Sequence, residues 1–107
     1  MSGALKPPRH ELPEIDAAAL EAARYADQLL AAARHLSDRW EHYFEAIPSR
    51  LRDDTLPELR STVRVARAAY GPKDSVRDLF PAEITEPFLD RLDRLNKAIN
   101  RWEANRS

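Results

Sequence analysis

The sequence predicts an all-α fold, a three-helix bundle with a long first helix, on three observations. Apolar residues recur at alternating steps of three and four along three segments, the spacing of one helical face. Each segment is bounded by residues with helix-start or helix-stop chemistry. No stretch alternates with period two for long enough to make a strand, since Val63 and Val65 fall inside a helical pattern.

The elements follow in order. Residues 1–14 carry Pro7, Pro8 and Pro13 among polar neighbours and read as an extended arm, leaving 15–107 as one helical domain. The first helix spans about 16–47: Asp16 is placed to cap it, Ile15 and Leu20 have staple spacing, and Pro48 ends it. Its seam is Ala22, Ala26, Leu29, Ala33, Leu36, Trp40, Tyr43 and Ile47. The second helix spans 55–70, opened by the capping box Thr55-Leu56-Pro57-Glu58 and closed by Gly71-Pro72, with Leu56, Leu59, Val63, Ala66 and Tyr70 on its seam. There is room for a short fourth helical turn at 75–80. Thr85, with Ile84 and Leu89 in staple positions, starts the third helix, 85–104, whose seam is Phe88, Leu92, Leu95, Ile99 and Trp102.

An unbroken helix over 16–47 would be about 48 Å long and would overhang its two partners. Either it breaks near Ser37-Asp38, where Ser37 can cap a new helix, or a second subunit covers the overhang. The seam crosses Ser37 without a phase shift, which favours the unbroken helix and a homodimer. Ala22, Ala26, Leu29 and Ala33 offer a shallow groove for the second subunit, and Phe44, just off the seam, offers an exposed anchor.

Composition excludes several functions. Two glycines in 107 residues cannot make a glycine-rich phosphate loop, and the absence of cysteine excludes disulfides, thiolate zinc sites and thiol nucleophiles. No apolar run is long enough for a signal peptide or a membrane span, so a cytoplasmic location is expected.

The formal net charge is −1, yet the charges are unevenly spread. Arg60, Arg64 and Arg67 fall at i, i+4 and i+7 on the second helix, and Lys73 and Arg77 extend the basic run. Such a stripe suits phosphates or an acidic partner, because guanidinium forks bind oxyanions bidentately. It also flanks the core seam, so its arginines are expected to lay their stems on apolar surface and pair with Asp27, Asp38, Glu41 and Glu45 of the first helix. His35, Asp38, His42 and Glu45 share one side of that helix and are the candidate metal ligands, but the chain contains neither Glu-x-x-His nor His-Glu-x-x-His. No serine stands in a Gly-x-Ser-x-Gly elbow, and Asp53-Asp54 reads as a loop before the second helix. These observations predict a non-enzymatic protein-interaction or regulatory module without a cofactor, acting through helix–helix contacts. Two readings from other classes are a nucleic-acid-binding accessory protein using the arginine stripe, and a metal-dependent helical enzyme using His35 and His42.

Overall fold

The structure is a computed structural model that describes residues 7–106. Five helices follow one another: α1 (Pro13–Leu36), α2 (Asp38–Phe44), α3 (Ile47–Asp53), α4 (Leu56–Ala68) and α5 (Ala82–Arg106). Single 3-10 turns lie at Arg9–Glu11 and Val76–Asp78, and no strand occurs among the described residues. The all-α class therefore holds, and a helical turn does occupy the segment between the second and third predicted helices.

The long first helix is the main correction. It breaks at Ser37, whose backbone is extended and whose hydroxyl accepts from the Trp40 N–H at 3.2 Å, capping α2. A second interruption after Phe44 lets α3 begin at Ile47 with Pro48 in its first turn. Pro48 thus starts a helix instead of ending one, as its missing N–H and fixed φ permit at that position. Pro13 and Pro57 stand in the first turns of α1 and α4 in the same way. Because α1 begins at Pro13, the arm expected over 1–14 is helical at its end, and its residues 1–6 lie outside the described residues. Asp16 is not a cap either; it accepts from Arg9 Nε at 2.9 Å.

Folding back at Ser37 turns the expected three legs into four. Arg52 of α3 pairs with Asp27 of α1, and the end of α3 returns to the start of α1, where Arg9 donates to the Asp54 carbonyl. Arg101 and Arg91 of α5 pair with Glu14 and Glu21 of α1, so α5 runs antiparallel to α1. Arg60 and Arg67 of α4 pair with Glu103 and Asp93 of α5, an antiparallel pairing again. The legs α1, α2–α3, α4 and α5 therefore run up, down, up and down. Neighbours in the ring are α1 with α3, α3 with α4, α4 with α5, and α5 with α1.

Side-chain size explains the ring. Ala19, Ala22, Ala23, Ala26 and Ala33 are fully buried along α1, with Ile15, Leu29 and Leu30 on the same face. Against them pack Leu51 of α3 and Phe88, Leu92, Leu95 and Ile99 of α5, all without exposed surface. Phe44 is also fully buried and meets Phe88 edge to face at 6.2 Å, so it is a core residue and not an exposed anchor. The seam proposed for a second subunit, Ala22, Ala26, Leu29 and Ala33, is likewise closed by the chain's own helices. With 24 residues in α1 and 25 in α5, about 36 and 38 Å, the two long legs match each other and α1 does not overhang α5. Two smaller expectations also change: Leu20 and Leu36 are 43% and 57% exposed instead of packed.

The other boundaries follow local chemistry. The capping box at Thr55 and Glu58 forms as expected, with the Glu58 carboxylate accepting from the Thr55 N–H at 3.1 Å. α4 ends at Ala68, short of Tyr70, and Gly71 does not take positive φ; Asp74 does, at 52°. α5 begins at Ala82, three residues early, because the Pro81 carbonyl accepts from the N–H groups of Ile84 and Thr85. Thr85 is a buried residue of the first turn and not a cap.

Two stability outcomes follow. Ala26→Leu should overpack the face gripped by its neighbours and lower the unfolding free energy by about 1–3 kcal/mol in urea. Gly71→Ala should leave stability unchanged or raise it by up to about 1 kcal/mol, since φ is not positive there and an added Cβ meets nothing closer than the Ala68 carbonyl at 3.5 Å.

Candidate interaction surface on α4 and α5

The arginine stripe lies along the seam between α4 and α5. Arg60, Val63, Arg64, Arg67 and Asn96 line a groove of about 180 Å³ there. Arg60 Nη2 donates to Asn100 Oδ1 at 3.0 Å and pairs with Glu103. Arg67 Nε lies 3.2 Å from Asp93 Oδ1. Arg64, between them, has no ionic or hydrogen-bonding partner among the described residues.

Helix geometry accounts for the difference. At about 100° per residue, Arg64 sits about 40° further round α4 than Arg60 and about 60° from Arg67. That rotation is away from the buried positions Leu59, Val63 and Ala66. Arg60 and Arg67 consequently meet α5, while Arg64 stands toward solvent beside an exposed ridge made by Ser61, Val65 and Ala68. Val65, 41% exposed, is a large apolar residue on that ridge.

The expectation that these arginines are internally paired is met for two of the three, but not with the acids of the first helix. Asp27 is held by Arg52, Glu41 lies 3.7 Å from Arg34, and Glu45 lies 3.2 Å from His42 Nδ1. The ring order is the reason: α4 stands diagonal to α1, so its flanks face α3 and α5. Lys73 and Arg77 do not extend the groove. Lys73 is in the loop after α4, and Arg77 forms a bidentate pair with Glu86 at 2.9 and 2.8 Å while lying over Tyr70.

The other candidates disperse. His35 stays on α1 while Asp38, His42 and Glu45 follow the break, and among the described residues no group of three or more His, Asp or Glu is arranged to hold a metal. Asp53 closes α3 instead of lying in a loop, and the Asp54 carboxylate accepts from the buried hydroxyl of Thr62. Trp40, Tyr43 and Phe44 form one aromatic cluster, with centroids 5.2–5.7 Å apart.

Tyr43 and Tyr70 act at helix ends. The Tyr43 hydroxyl donates to the Val65 carbonyl at 2.7 Å, where the last turn of α4 tightens and leaves that oxygen free of a helical donor. The Tyr70 hydroxyl donates to the Thr85 carbonyl. Burial raises the pKa of both phenols, strongly for Tyr70, so both remain proton donors.

Asn96 and the ridge Ser61, Val65 and Ala68 complete this surface, and none was singled out from sequence. The rotation of Arg64 from its neighbours was a readable signal; the identity of the facing helix was not.

Comparison with protein-family models, with curated proteins and with solved structures gave no match to this chain.

The Arg77–Glu86 pair carries a pH signature. Hydrogen bonds from Arg77 and the Thr85 hydroxyl lower the Glu86 pKa to about 2. A carboxylate depressed on folding stabilises the native state above its unfolded pKa, and this contribution fades as pH falls from about 4.5 toward 2. Its side chain is 43% exposed, so the effect should be that of a screened surface pair, below about 1 kcal/mol. Comparing Glu86→Gln with the parent in urea melts across pH 2–6 should show the difference at pH 6 and its disappearance near pH 2.

Proposed function

We propose that this chain is a non-enzymatic helical interaction module that docks an acidic amphipathic helix of a protein partner along α4. One observation carries the reading: Arg64 is unpaired among the described residues, while both neighbouring arginines are held. The ridge beside it supports the mode of contact. Ser61 and Ala68 are small enough for a second helix to approach, and Val65 gives that helix an apolar contact. Charge complementarity selects an acidic occupant, whose carboxylates can use the guanidinium fork of Arg64.

Nucleic acid is the less favoured occupant. Asp93 and Glu103 already occupy the arginines on either side, and their carboxylates would face the phosphates of any strand laid along the stripe. The homodimer expected from the sequence rested on an overhang of the first helix and an open alanine groove; α5 matches α1 in length, and the chain's own helices close the groove. A different chain is therefore the partner proposed.

Screening a display library of helical peptides against the full chain tests this reading. Selected peptides should carry an Asp or Glu at one fixed position beside a leucine seam, and both Arg64→Glu and Val65→Glu should weaken them at least tenfold at 150 mM salt. As surface substitutions, the two should stay within about 0.5 kcal/mol of the parent in thermal melts. Selection indifferent to acidic residues would overturn the proposal. Tighter binding of duplex or single-stranded oligonucleotides than of any selected peptide would do the same.

A further inference from the structure

The α4–α5 seam is a ladder with its middle rung missing. One end rung is Arg60 with Glu103 and Asn100; the other is Arg67 with Asp93. Between them Arg64 shares the groove with Asn96, a neutral amide. From Arg94 to Trp102 α5 contains no acid, and Lys97 within that stretch has no partner among the described residues. The centre of the groove is therefore positive, between two rungs that are already neutralised.

We infer that this centre is a receptor for one carboxylate side chain of the docked helix, held between the Arg64 guanidinium and the Asn96 side-chain amide. The inference rests on the reading of the chain as a binder of an acidic helix, and it names the contact that fixes the helix in register. Arg64 supplies a planar fork matched to the two carboxylate oxygens, and the Asn96 amide supplies a further donor. Val63, 3% exposed, lines the same groove as an apolar wall for the methylenes of an incoming Glu or Asp. A groove of about 180 Å³ has room for one such side chain. The neighbouring rungs restrict the site to a single charge, because a second carboxylate one helical turn away would meet Asp93 or Glu103.

Asn96→Asp tests the inference by supplying the missing carboxylate in cis. The variant should fold with a melting temperature at or slightly above the parent's, and it should bind the selected acidic peptides at least tenfold more weakly. Arg64→Lys, which keeps the charge and loses the fork, should weaken them about fivefold. In NMR titrations the Arg64 Hε–Nε resonance should move with sodium acetate and not with sodium chloride at equal ionic strength, and the acetate shift should vanish in Asn96→Asp. Undiminished peptide binding by Asn96→Asp, with Arg64 silent to acetate, would overturn the receptor and leave the acidic-helix reading standing. An acetate response in a chain that selects no acidic peptide would uphold the anion pocket, overturn the wider reading, and with it the assignment of the carboxylate to a partner helix.

Discussion

The close approach of α3 and α5 to the alanine face of α1 is the contact on which the rest of the arrangement depends. Five alanines buried in one helix contribute little apolar area themselves, at about 25 cal/mol per Å². What they supply is proximity. With side chains one carbon long at that interface, Leu51, Phe88, Leu92, Leu95 and Ile99 reach the axis of the bundle and meet one another. Once α1 is gripped on both sides, the remaining leg closes the ring opposite it, and α4 is committed to α5 and α3 as neighbours. The pairing of Arg60 with Glu103 and of Arg67 with Asp93 is a consequence of that order.

A chain interrupted at Ser37 and again after Phe44 exposes many helix ends, and polar side chains satisfy several of them. Ser37 receives the Trp40 N–H, Tyr43 supplies the Val65 carbonyl, and Arg9 reaches the Asp54 carbonyl. The first is a local cap, and the other two join segments that the interrupted backbone would otherwise leave independent. The interruptions are therefore compatible with a well-packed core. Trp40 and Phe44, on the short α2, are both buried and stack on one another at 5.7 Å.

The helical class, the capping box at Thr55 and the core seams of α4 and α5 were legible in the sequence because they depend on spacing and on contacts within four residues. The break at Ser37 was legible only as an option. An unbroken heptad phase is compatible with a straight helix and also with a cap followed by a return, and the choice is made by burial of Trp40 and Phe44 against distant residues. Pro48 posed the same ambiguity, since proline both halts a helix behind it and favours the first turn of one ahead. For the candidate site, the three arginines and their period were visible, whereas Asn96 was not. Its role depends on which helix faces α4, and that follows from the ring and not from local pattern.

The electrostatics of the groove favour selectivity over attraction. A chain with a formal net charge of −1 has no excess positive charge to steer a polyanion from beyond a Debye length of about 8 Å. At contact distance the balance differs, because Asp93 and Glu103 cancel the outer arginines and leave Arg64 as the one guanidinium of the stripe without a counter-charge among the described residues. Under the proposed function, association would then be slow to assemble and weakly dependent on salt, as expected for a contact with a single ion pair. A strand of phosphates has the opposite requirement: its affinity comes from many released counterions, and each rung already closed by a carboxylate removes one of them. The same two acids that tie α4 to α5 in the folded chain therefore also weigh against a polyanionic occupant.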